Sequence, residues 1–224
     1  MANPNVPPGA AILLDFIGGI EAPKGYGTIY GNNQGKLTKP LTSMTLDEVI
    51  AAGPSWTKAY KSSAAGRYQF MNATLKDLKK SLGLTGKEMF SADLQDRLGF
   101  ELLKRRGYDN YMVGFLTRTA FGKALAQEWA SLPVLASTPG QKRQVERGQS
   151  YYAGDGLNKA LTSPESVEAV LIKARDAHIV PKPQKPSSQP IPPPAKPATP
   201  TAAVLIIILA IIAAFGAAFF FLAH

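Results

Sequence analysis

Apolar residues recur at helical spacing along most of the chain. Between Ala10 and Ile20, the positions Ile12, Leu13, Phe16, Ile17 and Ile20 make a broad apolar face. They predict a buried helix that stops at Gly18-Gly19 or just after, where Glu21 and Pro23 follow. Thr45-Leu46-Asp47-Glu48 has Thr at a cap position and Glu three residues on, a capping box opening a helix through Val49, Ile50 and Ala52. Gly53-Pro54 is expected to end it. Met71, Leu75, Leu78 and Leu82 form the next stripe, with Lys76, Lys79 and Lys80 on the wet side. Ser91 opens a helix carrying Leu94, Leu98 and Leu102, and Gly107 is placed to stop it. Thr119 to Leu132 reads as helical, and Ser163-Pro164-Glu165 caps a helix buried through Val167, Val170, Leu171 and Ala174. From Gly25 to Thr42 the periodicity dissolves into Gly, Asn, Thr and Tyr, which predicts a small, irregular β-hairpin near the front. The pattern is that of a mainly α (α+β) domain.

The two ends depart from this pattern. Residues 1–9 are short, polar and Pro-rich without a basic run, and read as a flexible N-terminus rather than a cleaved signal. Residues 179–201 are a Pro-rich linker: nine of the chain's 18 prolines fall in 181–200, a semi-rigid spacer reaching up to roughly 60 Å. Residues 202–223 carry no charge, and as a helix would span about 33 Å, enough for a bilayer core. The expected order is a folded domain over 10–178, a linker, and one transmembrane helix.

Composition narrows the chemistry. Without cysteine there is no disulfide scaffold, thiolate zinc site or thiol nucleophile. The two histidines, His178 and His224, cannot build a His-rich zinc site, so zinc amidase and metallopeptidase mechanisms are set aside and no metal or other cofactor is expected. The net charge of +9 suits a polyanion in general, whether nucleic acid, anionic lipid or bacterial wall. No nucleic-acid motif accompanies the charge, so no specific nucleic acid is expected.

The densest local signal is Lys61-Ser62-Ser63-Ala64-Ala65-Gly66-Arg67-Tyr68-Gln69-Phe70. A sterically open turn directly before a packed helix lets a ligand approach the backbone. An ordinary loop, with Ser63 or Asn72 capping the helix, is the structural alternative. Glu21, behind an apolar helix, is the candidate acid: a carboxyl among apolar neighbours can hold its proton toward neutral pH and protonate a leaving glycosidic oxygen, whereas position alone favours a solvated Glu at a helix end.

Glu21, the Ser62–Gln69 stretch, Leu82-Gly83-Leu84, Phe90-Ser91 with Gln95-Asp96, and Trp129-Ala130-Ser131-Leu132-Pro133 come in the order found in lambda-type phage endolysins. The chain resembles that family of lysozyme-like, muramidase-type lytic transglycosylases over about residues 10–178. The resemblance implies a lysozyme-like fold, peptidoglycan glycan strands as substrate, and Glu21 as catalytic residue. It also implies a glycan cleft lined by Tyr68 and Gln69 in the Ser63–Gly66 turn region. Ala22-Pro23-Lys24 departs from the Ser/Gly-type residues such enzymes often carry there. Trp56, Tyr26 and Tyr30 are candidates for stacking on sugar faces, with core packing the alternative for Trp56. Arg67 could meet a peptidoglycan carboxylate or stay solvated.

Hydrolysis with two carboxylates needs a second acid, for which Asp47 and Glu48 are the nearest candidates, although their place in the capping-box turn gives them a structural job. With one carboxylate, Glu21 would donate a proton and take one back, and the muramoyl 6-hydroxyl would attack intramolecularly. A lytic transglycosylase is therefore expected ahead of a hydrolytic muramidase or a non-catalytic, membrane-anchored wall-binding protein. Lys182, Lys185 and Lys196 precede the apolar run and only His224 follows it, a bias that keeps the domain cytoplasmic, opposite peptidoglycan. An internal virion membrane, with other virion membrane or capsid proteins as partners, or the host inner membrane with release at lysis, would each resolve the conflict. Translocation despite the lysines is the third route.

Overall fold

A computed structural model of the chain describes residues 5–179. The first helix, α1 (Pro8–Glu21), begins with proline in its first turn, where the missing N–H has no helical partner to lose. Val6 is already buried and Pro8 and Gly9 are helical, so order begins earlier than the expected boundary at residue 10. Two short 3₁₀ segments follow, Tyr30–Lys36 and Leu41–Ser43. Next come α2 (Leu46–Tyr60), α3 (Asn72–Ser81), α4 (Ala92–Arg105), α5 (Tyr108–Met112) and α6 (Arg118–Glu128). Two short strands, β1 (Thr138–Pro139) and β2 (Gln144–Val145), precede α7 (Pro164–Ile179).

α1 packs chiefly on α7 and on α4. Leu13, Leu14 and Ile17 share one buried cluster with Leu98 of α4 and with Leu171 and Ala174 of α7. Full burial of each large side chain contributes about 1.5–3 kcal/mol, so this three-helix contact holds α1 in place.

The caps expected at helix starts are present. Thr45 accepts from the Glu48 N–H while the Glu48 carboxylate accepts from the Thr45 N–H. Ser91 accepts from Leu94 N–H and Ser163 from Ser166 N–H. Gly107, at φ 95°, separates α4 from α5.

Three expectations are corrected. α2 does not stop at Gly53-Pro54; it runs through to Tyr60 and ends at Lys61, which adopts φ 73°. Pro54 cannot donate to the Ile50 carbonyl, but the side-chain amide of Asn72 does so instead, at 2.6 Å. Gly53 makes the room, since a Cβ there would lie 2.2 Å from that amide nitrogen.

The Gly25–Thr42 stretch is not a hairpin. Gly31 and Asn32 adopt φ 67° and 59°, which breaks any ladder, and the β-forming Ile29 makes a single bridge to Ala65. The antiparallel pair lies far downstream, with Thr138 opposite Val145 and Pro139 opposite Gln144. α6 ends at Glu128, so Trp129–Leu132 is a non-helical segment.

No helix among the described residues is long and apolar enough to cross a membrane. The Pro-rich linker from residue 180 and the expected transmembrane helix at 202–223 lie outside the described residues.

Candidate active site

Glu21 is the last residue of α1. Ala22 closes the helix by donating to the Gly18 carbonyl, and Gly25 donates to Ala22, so Ala22-Pro23-Lys24 forms a regular exit turn. The carboxyl is largely buried, and the Ser131 hydroxyl donates a hydrogen bond to its Oε1. Burial pushes the Glu21 pKa above the usual glutamate value, and the Ser131 bond pulls part of that back. Among the described residues, no charged side chain contributes to that shift.

Ser131 sits in the segment after α6, which is tied down on several sides. The Trp129 indole N–H donates to the Tyr68 carbonyl at 3.3 Å, and Ser150 Oγ donates to the Ala130 carbonyl at 2.7 Å. The Ser131 carbonyl accepts from Leu161 N–H at 2.8 Å. The segment therefore holds a hydroxyl against Glu21 while gripping the Gly66–Gln69 turn.

That turn is closed by Ala65 and Phe70, whose backbones exchange both hydrogen bonds. Gly66 adopts φ +80° and lies under Gln95, whose Oε1 would be only 2.4 Å from an added Cβ. Gln95 is fully buried and its amide is fully used. Its Oε1 accepts from Arg67 N–H at 2.8 Å, and its Nε2 donates to the carbonyls of Phe90 and Tyr26. Beside it, Asp96 Oδ1 accepts from the hydroxyls of Tyr68 at 2.6 Å and Tyr26 at 2.9 Å. Burial, with the Asp96 carboxylate adding to it, raises both tyrosine pKa values, so both phenols remain neutral donors.

Arg67 lies across Gly18, one helical turn before Glu21, where a Cβ would meet its Nε at 2.4 Å. Its guanidinium pairs with Asp15 at 3.1 Å and covers the Tyr26 ring at 5.0 Å. The turn region and the end of α1 are thus brought into contact through Gly18, and through Ser131 on the other side.

The residues proposed for the glycan separate into two groups. Tyr68 is only 2% exposed and Trp56 7%, so both rings are packing groups and neither lines an open cleft here. Ser63 is buried, and its hydroxyl accepts from Asn72 N–H at the start of α3, which is a capping role. Gly66 is buried beneath Gln95. Gln69 is half-buried at φ 48°, with its side-chain amide donating back to the Gly66 carbonyl at 2.8 Å. Tyr30 is exposed, and its backbone N–H donates to Ala64 at the edge of the turn.

Asp47 stands in the first turn of α2, exposed and paired with Lys79 at 2.6 Å. Sequence reasoning gave no role to Ser131 or Asp96. Both lay inside recognised motif strings, but only the folded chain shows their partners.

A largely buried carboxyl with a raised pKa, held by a hydroxyl beside a rigid turn, thus sits at one helix end of a mainly helical domain. A family model described as Endolysin matches residues 40–157, and the chain belongs to that family. It carries a phage endolysin-type, lysozyme-like domain whose substrate is peptidoglycan. The match takes in the Ser63–Phe70 turn, Gln95-Asp96 and Trp129–Pro133 and begins after Glu21, so the case for Glu21 is geometric. No curated protein and no solved structure matches the chain.

Proposed function

We propose that the protein is a lytic transglycosylase that cuts the β-1,4 bond between N-acetylmuramic acid and N-acetylglucosamine, with Glu21 as its single acid–base. The observation that carries this reading is the largely buried Glu21 carboxyl, whose pKa burial raises above the usual glutamate value and which accepts a hydrogen bond from the Ser131 hydroxyl. Asp47, the candidate for a second carboxylate, is engaged by Lys79.

In this mechanism Glu21 protonates the bridging oxygen as the muramoyl C1–O bond breaks. The muramoyl 6-hydroxyl then attacks C1 and returns its proton to the Glu21 carboxylate. The products are a 1,6-anhydromuramoyl end and a glucosaminyl 4-hydroxyl end, and no water is consumed. This reading assigns contact with the glycan to Gln69, half-buried in the turn, and to Tyr30, exposed at its edge.

The uncharged run at 202–223 supports anchoring in a bilayer, with the internal membrane of a phage particle as the preferred site and wall penetration during entry as the role. Purified particles lacking the protein, or carrying it without wall-cleaving activity, would remove the virion version.

The test of the chemistry is mass spectrometry of muropeptides released from purified peptidoglycan by the full chain, beside Glu21→Gln. Anhydromuramoyl ends made only by the unsubstituted chain are expected. Reducing muramoyl ends would instead make it a hydrolytic muramidase, and no cleavage by either chain would leave a wall-binding protein.

A further inference from the structure

We infer that Ser131 is a positioning residue for catalysis: its hydroxyl fixes Glu21 Oε1 as an acceptor, so that the transferable proton sits on Oε2. This inference rests on the reading of Glu21 as the acid–base.

Three observations carry it. The Ser131 Oγ to Glu21 Oε1 bond joins groups far apart in sequence, both largely removed from water. The segment presenting Ser131 is anchored to the Gly66–Gln69 turn through Trp129, to Ser150 through Ala130, and to Leu161 through the Ser131 carbonyl. The hydroxyl is thus held in place before any ligand arrives, as a preorganised group must be. Finally, the Ser131 bond acts on the Glu21 carboxyl against the effect of burial, so the hydroxyl bears on the state of that carboxyl.

The chemistry gives the hydroxyl a defined part in each half of the cycle. While Glu21 is protonated, a donor on Oε1 leaves Oε2 as the oxygen carrying hydrogen. Once the proton has gone to the departing glucosaminyl oxygen, the same hydroxyl donates to a carboxylate, and such charge-assisted bonds are roughly twice as strong as neutral ones. Ser131 therefore favours proton donation. When the muramoyl 6-hydroxyl attacks, Oε2 is the oxygen that takes its proton back.

The experiment compares the full chain with Ser131→Ala, Ser131→Thr and Glu21→Gln on soluble glycan strands, measuring kcat, KM and the pH profile of kcat. Ser131→Ala is expected to lower kcat roughly ten- to a hundredfold with little change in KM. Losing the bond that lowers the Glu21 pKa should also move the alkaline limb of the profile to higher pH. Ser131→Thr, which keeps a hydroxyl, should bring the limb back. Limb position does not depend on how much of a variant is folded, so a merely structural role would not move it. An alkaline limb of Ser131→Ala coincident with that of the unsubstituted chain would overturn the inference while Glu21→Gln stayed inactive. An active Glu21→Gln would instead overturn the reading of Glu21 itself, and this inference with it.

Discussion

The acidic side chains at the start of α2 and at the end of α1 are put to opposite uses. Asp47 and Glu48 occupy the first turn of α2, where exposed amides and the positive end of the helix dipole favour negative charge. Glu48 closes the capping box and pairs with Lys39, and those contacts hold its pKa below the usual glutamate value. Glu21 occupies the last turn of α1, among carbonyls rather than amides, largely buried and with no cation among the influences on it. Its charged form is disfavoured on every count except the Ser131 bond. A carboxylate placed where the fold welcomes its charge serves stability. One placed where the fold resists its charge is available for proton transfer.

The largest expected effect comes from the resisting end. Glu21→Gln should lower the glycan-cleavage rate by about 10²- to 10⁴-fold. The same substitution should change stability in a pH-dependent way. Because the folded-state pKa of Glu21 is raised, the folded chain holds its proton where the unfolded chain has lost it. Stability therefore falls as pH rises from the unfolded value of 4.5 through the folded one. Glu21→Gln should melt higher than the unsubstituted chain at neutral pH, and the advantage should vanish well below pH 4.5. Thermal melts across that range would check it, and a neutral-pH loss of stability would break the contrast.

Substitutions around α2 should behave in the opposite manner, affecting stability and leaving chemistry alone. Asn72→Ala should destabilise by about 1–3 kcal/mol, because the Ile50 carbonyl above Pro54 loses its donor. Thr45→Ala should cost about 1 kcal/mol by opening the capping box. Both are measured by denaturant unfolding, with the pH profile of activity unmoved. Asp47→Asn is the smallest and the most diagnostic, since a change within about twofold in cleavage rate is expected if Asp47 serves only its turn and Lys79. A loss approaching that of Glu21→Gln would restore it as a second carboxylate.

The same contrast explains what the sequence could reveal. The helix starts at Thr45, Ser91 and Ser163 were legible because a cap and its partner lie within one turn of each other. The position of Glu21 at a helix end was legible from the apolar stripe before it.

The continuation of α2 through Pro54 was not, because it depends on the amide of Asn72 in another helix. The front hairpin failed for a related reason: Ile29 and Tyr30 pair with Ala65 and Ala64 rather than with their own neighbours. Trp56 is a sugar-stacking candidate by residue type and Tyr68 a cleft residue by resemblance, but the burial of both rings is set by the rest of the core. Ser131 and Asp96 acquire their roles only across long sequence separations.

The most direct test of the single-carboxylate mechanism is digestion of purified peptidoglycan by the full chain in water enriched in heavy oxygen. Intramolecular attack by the muramoyl 6-hydroxyl predicts anhydromuramoyl products with no heavy oxygen at C1. Muramoyl ends labelled at C1 would show that water is the nucleophile, and would contradict a mechanism built on Glu21 alone.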